Sequence, residues 1–209
     1  MVKKISVAID GPAAAGKSTI AKIVAEHFSY VYVDTGAMYR ALTYKALKNK
    51  INIQDEEALH ELVLHSQIVL KPSPTGQLVF LDGENVTEAI RTSEVTNSVS
   101  AVAKHGLVRK EMVRLQQELG KAGGIVMDGR DIGTCVLPEA NVKVYLTADA
   151  KVRAKRRFDE LTAKGEECDI DKIEADIIER DYRDMNREIS PLKQADDAIL
   201  VDTSNMNID

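Results

Sequence analysis

The sequence predicts a doubly wound α/β fold with a parallel sheet, and three observations support this class. Short runs rich in β-branched residues alternate with helical patterns along the chain. The runs are almost continuously apolar, which is typical of strands that helices cover on both faces of a sheet. A glycine-rich loop joins the first run to the first helical pattern. The 209 residues, 44% of them apolar and 29% charged, suffice for a substantial core.

Each element of this fold follows from such a pattern. The candidate strands cover residues 5–9, 30–34, 125–128, 142–146 and 198–202. The helical patterns cover residues 19–28, 37–47, 108–119 and 150–161. Because helical crossovers place successive strands parallel to one another, we expect one five-stranded parallel sheet.

Residues 64–100 interrupt the alternation. Two apolar runs flank the turn-forming residues 72–76, and Asp82-Gly83 is a second turn signal. The pattern predicts a small antiparallel insert that is built from hairpins.

Residues 151–187 form a second interruption, which is rich in arginine. A turn signal at Lys164-Gly165 separates its two helical halves. The side chains of Arg153, Arg156 and Arg157 fall on one helix face, and those of Arg180, Asp184 and Arg187 fall on another. The simpler interpretation is a solvated, salt-bridged surface. Two arginine faces on either side of one turn favour a lid that closes over phosphates.

Composition and charge exclude several classes of function. The formal net charge of −5 provides no general basic field for nucleic acid. No apolar run approaches the roughly 20 residues of a membrane span, and the first residues lack a signal-peptide core. The two cysteines, Cys135 and Cys168, are far apart and form no zinc-binding pattern. We therefore expect a cytoplasmic protein with no nucleic-acid, membrane or zinc partner.

The loop after the first strand matches a phosphate-binding motif in full. Its pattern is Gly11-x-x-x-x-Gly16-Lys17-Ser18, between a strand and a helix. Backbone amides of such a loop point at phosphates, the lysine reaches the β- and γ-phosphates, and the Ser18 hydroxyl is a ligand for Mg²⁺. A GTPase would need an Asn-Lys-x-Asp signature, which is absent. A motor ATPase would need an acidic pair after the strand at 125–128, where Asp128-Gly-Arg-Asp131 stands instead. A phosphoryl transferase remains.

Two further strand ends carry charged residues. Asp34-Thr-Gly-Ala leads into a helix that contains Arg40, and Gly129-Arg130-Asp131 follows the strand at 125–128. Ligands of α/β sheets bind beyond the carboxyl ends of strands, so these residues are candidates for the acceptor side. The alternatives are that Asp34 only caps the helix, that Arg40 pairs with a carboxylate, and that Arg130 belongs to a turn with a solvated ion pair.

Together these segments resemble the bacterial cytidylate kinases, a family of P-loop nucleoside monophosphate kinases. The matching motifs, in order over nearly the whole chain, are Ile-Asp10-Gly-Pro-x-x-x-Gly-Lys-Ser, Asp34-Thr-Gly-Ala-Met-Tyr-Arg, Ile90-Arg-Thr-x-Glu-Val, Asp128-Gly-Arg-Asp-Ile-Gly-Thr134 and Glu179-Arg-Asp-x-Arg-Asp-x-Asn-Arg187. The resemblance implies a core of residues 1–63, 104–150 and 171–209, a nucleoside-monophosphate-binding insert at 64–103 and a short helical lid at 151–170.

The resemblance also implies roles for individual residues. The phosphate loop would bind ATP through Gly11, Pro12, Ala13, Ala14, Ala15, Gly16, Lys17, Ser18 and Thr19, with Ser18 as the metal ligand. The CMP site would comprise Arg40, Arg130 and Arg187 for the phosphate, Ser100, Arg109 and Asp131 for the base, Arg180 and Asp184 for the ribose, and Thr35. We assign Arg153 and Arg157 to the ATP phosphates from their spacing. The catalytic cations would be Lys17, Arg130, Arg157 and Arg187.

The implied reaction is ATP-dependent phosphorylation of CMP or dCMP with Mg²⁺, by a monomer. A carboxylate at Asp131 would accept from the cytosine amine and face an unpaired oxygen in UMP. Two alternatives stay open. One is a P-loop kinase for another acceptor, such as dTMP or shikimate. The other is a nucleotide-responsive binding protein without turnover, which the dense acceptor-side arginines disfavour.

Overall fold

The computed structural model describes residues 4–73 and 76–208. Its strands are β1 (Ser6–Asp10), β2 (Val31–Asp34), β3 (Ile68–Ser73), β4 (Gly76–Leu81), β5 (Glu84–Asn85), β6 (Ile125–Gly129), β7 (Val142–Thr147) and β8 (Ile199–Asp202). Its α-helices are α1 (Lys17–Phe28), α2 (Thr35–Lys48), α3 (Glu56–Leu64), α4 (Ser93–Ala103), α5 (Gly106–Gly120), α6 (Ala150–Ala163) and α7 (Ile170–Asn186). A 3-10 turn covers Ala89–Arg91, and a π-helix covers Ile132–Val136.

The predicted parallel sheet is confirmed. Five strands pair in the order β2-β6-β1-β7-β8, and every pairing between them is parallel. The register places Asp10 of β1 opposite Gly129 of β6, and Asp34 of β2 opposite Asp128. The phosphate loop, the start of α2 and the turn after β6 therefore leave the sheet at the same edge.

Helices cover both faces of this sheet, as the apolar runs predict. Val7 and Ile9 of β1 pack with Ala21 and Ala25 of α1 on one face. Ala8, between them in sequence, packs on the opposite face with the π-helix residue Ile132. Because side chains alternate along a strand, one strand contributes to two core layers.

The antiparallel insert is also confirmed as a second sheet, with strand order β3-β4-β5. The turn at Asp82-Gly83 has positive φ at both residues, +50° and +85°, as a tight hairpin requires. The first predicted turn includes residues 74 and 75, which lie outside the described residues. The division of the chain into core, insert and lid remains a prediction.

The patterns did not identify three elements. Helix α3 was not predicted, and α4 lies within the segment interpreted as hairpins. Both helices pack into a cluster with α2 and α5, represented by Leu42, Leu59, Val102 and Met112. The π-helix after β6 was predicted only as a turn. Within the described part of the chain, no helix is both long enough and apolar enough to cross a bilayer.

Candidate active site

The loop between β1 and α1 has a backbone that only glycine permits at two positions. Gly11 has φ +149° and Gly16 has φ +91°. A Cβ atom on Gly11 would lie 1.9 Å from the carbonyl oxygen of Leu146, so no larger residue fits. Gly16 precedes α1 and offers no side-chain cap. The amide groups of the first helical turn are therefore available to an anion.

Lys17 is buried at the start of α1. Its Nζ donates a hydrogen bond to the carbonyl oxygen of Pro12 at 2.7 Å. Burial and, after it, the positive charge of Arg130 lower the pKa of Lys17 to about 7. The ammonium group is thus poorly compensated in the ligand-free protein, and a bound phosphate would favour its charged form.

Asp128 at the end of β6 connects the phosphate loop to the neighbouring strands. Its carboxylate accepts hydrogen bonds from Ser18 Oγ and from Tyr32 Oη, both at 2.9 Å. Its backbone carbonyl accepts from Thr35 Oγ1 at 2.7 Å. Burial, followed by the charge of Asp34, raises the pKa of Asp128 to about 6. A hydroxyl and a carboxylate therefore lie together beside the loop.

The sequence analysis assigned a metal role to Ser18 but none to Asp128. The available signal was the position of Asp128 at the carboxyl end of a strand that pairs with β1, next to the phosphate loop. That signal depends on strand order, which spacing alone does not give.

The predicted acceptor arginines lie close together beyond the strand ends. Arg130 Nε lies 2.9 Å from a carboxylate oxygen of Asp184, and Arg40 Nη2 lies 2.7 Å from one of Asp34. Burial, followed by the charge of Arg130, lowers the pKa of Arg180 to about 10. The Nε atoms of Arg40 and Arg180 are buried and have no hydrogen-bond partner among the described residues. Unused guanidinium donors of this kind suit a phosphate, which accepts several charge-assisted hydrogen bonds.

Asp34 both caps helix α2 and forms an ion pair with Arg40. Its Oδ1 accepts from the Ala37 amide at 2.8 Å and caps α2, while its Oδ2 pairs with Arg40. Although burial opposes its charge, Arg40 and the Ala37 amide hold the pKa of Asp34 below its ordinary value. The cap and the ion pair therefore coexist at one carboxylate.

A second group of charges surrounds Asp131. Its carboxylate pairs with Arg109, and Arg187 Nη2 lies 3.7 Å from its other oxygen. Arg109 is only 2% exposed and lies 5.6 Å from the ring centre of Tyr39. Burial opposes the charge of Arg109, but Tyr39 and Asp131 keep its pKa above the ordinary value. Three buried polar groups here have no hydrogen-bond partner within the part of the chain that the structure describes, namely Arg187 Nη2, Arg109 Nε and the Tyr39 hydroxyl.

Asp10 holds the turn that carries Asp131. Its two carboxylate oxygens accept from the amides of Ile132 and Gly133 at 2.8 and 2.7 Å. Burial raises the pKa of Asp10 to about 6. Since Asp10 immediately precedes the phosphate loop, it links the donor loop to the acceptor turn.

A large open cleft of about 2170 Å³ joins several predicted site residues. Its lining includes residues 13–19 of the phosphate loop, Arg40, Ser100, Arg157 and Arg180. The predicted residues outside this lining are Gly11, Pro12, Thr35, Arg109, Arg130, Asp131, Arg153, Asp184 and Arg187. Among them, Arg130 pairs with Asp184, and Asp131 pairs with Arg109 and lies near Arg187. The charges of Arg130 and Asp184 act on Arg180, which lines the cleft. The structure therefore brings the donor loop and the acceptor charges to one site.

The two arginines assigned to the ATP phosphates, Arg153 and Arg157, have different environments. Arg157 lies on the cleft and pairs with Glu160 of the same helix at 2.9 Å. Arg153 is 6% exposed, and its guanidinium contacts the carbonyl oxygens of Ala148 and Ala13. Its Nη1 also lies beside Asp181, so Nε and Nη1 of Arg153 are engaged within the ligand-free protein, and the assignment of Arg153 to the ATP phosphates remains a prediction.

Comparisons with known proteins agree on one family. A family model described as Cytidylate kinase matches residues 7–209. The chain is 58% identical to a cytidylate kinase of Anoxybacillus flavithermus over 209 residues, which are 100% of this chain and 93% of that protein. It is 58% identical to one of Enterococcus faecalis, with 99% and 91% covered, and 56% identical to one of Bacillus cereus, with 100% and 93% covered.

Proposed function

Because the chain belongs to the cytidylate kinase family, we propose that it phosphorylates CMP and dCMP with ATP, giving CDP or dCDP and ADP. The family is one of enzymes, nucleoside monophosphate kinases. An oxygen of the acceptor phosphate attacks the γ-phosphorus in line, and the bond to the ADP oxygen breaks. The acceptor phosphate is largely dianionic near neutral pH, so the step needs no protein nucleophile or general base.

The donor side of this proposal is the phosphate loop. The amides of the first turn of α1 bind the β- and γ-phosphates, and Lys17 leaves the Pro12 carbonyl to contact them. Lys17 then compensates the charge that develops on the leaving ADP. Arg157 lies on the cleft near the turn between α6 and α7, where it would reach the transferring group when the lid closes and excludes water.

Ser18 and Asp128 fit a magnesium ion. The Ser18 hydroxyl and the Asp128 carboxylate lie 2.9 Å apart beside the loop, and Mg²⁺ prefers oxygen ligands of this kind together with phosphates. In residues 4–73 and 76–208, no cluster of three or more His, Cys, Asp or Glu side chains forms a metal site by itself. The ion would neutralise charge on the β- and γ-phosphate oxygens.

The acceptor side contains guanidinium groups with unused donors, and this observation carries the proposal. Arg40 and Arg180 line the cleft, the charge of Arg130 acts on Arg180, and the buried Nε atoms of Arg40 and Arg180 have no acceptor among the described residues. The CMP phosphate would supply that acceptor, with Arg187 approaching from the neighbouring group. The ribose hydroxyls would contact Arg180 and Asp184, and Thr35 would contribute from the start of α2, where its hydroxyl donates to the Asp128 carbonyl.

The pocket around Asp131 would select the base. Asp131 and Ser100 accept from the exocyclic amine of cytosine, while Arg109 donates to its ring acceptors. UMP presents an oxygen in place of the amine, so the buried carboxylate loses a hydrogen bond and meets a second acceptor. A site built to pair with a substrate group rejects analogues that lack it.

The test is a measurement of ADP release with ATP and Mg²⁺ over a panel of CMP, dCMP, UMP, dTMP and shikimate. We expect rapid turnover with CMP and dCMP, weak turnover with UMP, and loss of turnover in Lys17→Ala. Preference for another acceptor would refute the assignment of Asp131 and Arg109. ATP binding without acceptor-dependent ADP release would instead identify a nucleotide-binding protein without turnover.

A further inference from the structure

One residue of the phosphate loop, Ala13, is held by side chains from helices α6 and α7. The Ala13 amide donates to Asp181 Oδ1 of α7 at 3.4 Å. The Ala13 carbonyl oxygen accepts from Arg153 Nη1 of α6 at 3.0 Å. The same Nη1 lies 2.7 Å from Asp181 Oδ2, so the two side chains and the one residue form a closed ring of contacts.

This ring is shielded from water. Arg153 is 6% exposed, Asp181 8% and Ala13 9%. Arg153 Nε also donates to the carbonyl oxygen of Ala148, just before α6 begins, which fixes the guanidinium at a second point. Solvent screening is weak at such a site. Four contacts fix the ion pair: one between Arg153 and Asp181, two with Ala13 and one with Ala148.

The pair is unsuited to direct binding of phosphates. Its cation is matched by an adjacent carboxylate, so the pair adds no net positive charge to the donor site. Arg157, four residues later in α6, has a side chain that is 33% exposed and lies on the cleft. The two arginines of one helix therefore have separate tasks, and that of Arg153 concerns the backbone.

Ala13 is a sensitive point of the loop. The next residue, Ala14, has φ +57°, a left-handed conformation that residues with a Cβ rarely adopt. The preceding residue, Pro12, supplies the carbonyl that holds Lys17. A strained backbone conformation persists where its surroundings determine it fully, and both polar groups of Ala13 are determined here by Arg153 and Asp181.

We propose that Arg153 and Asp181 are positioning residues for the ATP site. Their ion pair holds Ala13 so that the following amides and Lys17 face the phosphates, and it attaches the phosphate loop to α6, which lies in the predicted lid, and to α7. The inference rests on the proposed use of ATP as donor. It predicts that loss of the pair weakens binding of the donor selectively, because among the described residues no hydrogen bond or ion pair joins Arg153 or Asp181 to the acceptor side, and only the longer-range charge of Asp181 acts on Arg130.

Arg153→Met is the first variant, studied in the full chain by calorimetric titration with a non-hydrolysable ATP analogue and Mg²⁺, and separately with CMP. We expect the dissociation constant of the analogue to rise about tenfold to thirtyfold, as for loss of a charge-assisted hydrogen-bond network. The dissociation constant of CMP should change less than about twofold. In steady state the KM for ATP should rise more than the KM for CMP.

Two variants separate positioning from general stabilisation. Arg153→Lys keeps a donor for Ala13 and Asp181 but loses the contact with Ala148, so it should recover part of the analogue affinity. Lys143→Met removes another buried cation, which pairs with Asp197 at 2.8 Å. This variant should lower the melting temperature without a selective loss of analogue binding. Asp181→Asn, which preserves side-chain shape, serves if Arg153→Met does not fold, and it should also weaken the analogue selectively.

Unchanged analogue affinity in folded Arg153→Met and Asp181→Asn would refute the inference, as would equal losses for the analogue and CMP. These results are distinguishable from failure of the proposed function. If the unmodified protein binds the ATP analogue but does not phosphorylate CMP, the acceptor assignment fails while the titrations still decide the role of the pair. If the unmodified protein binds no ATP analogue, both proposals fail.

Discussion

The donor side and the acceptor side of the cleft are built in different ways. The proposed donor side is a continuous segment, residues 11–19, in which glycine dihedral angles and helix amides would form the binding surface. The acceptor side is a set of side chains from separate elements: Arg40 of α2, Arg109 of α5, Arg130 after β6 and Arg180 of α7. A backbone site is specified locally, whereas a site of ion pairs exists only after the chain has folded. Variants should therefore act selectively on one substrate or the other.

The largest expected effect comes from Arg130→Met. It removes the guanidinium whose charge acts most strongly on Lys17, and it takes from Asp184 its ion-pair partner at 2.9 Å. We expect kcat/KM for CMP to fall roughly 10³-fold, since loss of one charged donor at a reacting group typically costs that much. Initial rates at varied CMP measure this, together with titration of an ATP analogue, whose affinity should change far less.

Arg114→Met is the matched control, because Arg114 is an exposed arginine of α5 whose ion pair, in the part of the chain that the structure describes, is with Glu111. Its kinetic constants should equal those of the unmodified protein. Equal losses of CMP and ATP binding in Arg130→Met would contradict the division into donor and acceptor sides.

The next effect concerns base selection by Asp131. Asp131→Asn keeps the shape but presents a mixture of donor and acceptor, so the ratio of kcat/KM for CMP to that for UMP should fall roughly 100-fold. The variant also leaves Arg109 buried without a counter-charge, which should lower the free energy of unfolding by about 3 kcal/mol. Rates with both nucleotides and denaturant unfolding measure the two effects. An unchanged ratio would place base selection elsewhere.

The same contrast explains what the sequence could predict. The parallel sheet and the phosphate loop follow from local patterns: apolar runs, a glycine motif and the residues around them. The acceptor residues were named as candidates, but their pairing was not, since Arg130 with Asp184 joins positions 54 residues apart. Asp128 was not assigned to the metal because its approach to Ser18 depends on β6 lying beside β1.

Other differences have similar physical causes. Helix α4 lies in a segment of threonine, serine, valine and asparagine, residues with low intrinsic helix propensity, and packing of Val95, Val99 and Val102 stabilises it. The π-helix forms because Asp10, 122 residues away, accepts the amide of Ile132. The regular spacing of arginines in α6 predicted a shared surface, but the contact of Arg153 with Ala13 is tertiary.

A pH effect of moderate size tests the electrostatics of the donor side. Burial lowers the pKa of Lys17 to about 7, and bound phosphates favour the ammonium form, so ATP binding takes up a proton as pH rises through 7. The affinity for ATP is therefore highest below the pKa of Lys17 in the free protein. It weakens above that pKa, by about tenfold between pH 6 and pH 8. Titration of an ATP analogue across this range measures it.

Lys17→Arg is the control for this prediction, because arginine stays charged at these pH values. Its affinity should follow only the titration of the nucleotide and of other groups, including Asp128. The difference between the two proteins isolates Lys17. Parallel pH curves for both proteins would show that Lys17 is already charged in the free protein.

The smallest effect separates the two roles of Asp34. Asp34→Asn keeps a good helix cap for α2 but removes the charge that competes with the CMP phosphate for Arg40. We expect the KM for CMP to fall twofold to fivefold, as for a partly exposed ion pair of up to about 1 kcal/mol. Asp55→Asn is the matched control, since Asp55 caps α3 by accepting from the Ala58 amide at 3.0 Å and forms no ion pair with any described residue. A rise in the KM for CMP only in Asp34→Asn would mean that the carboxylate orients Arg40 toward the substrate and does not compete with it.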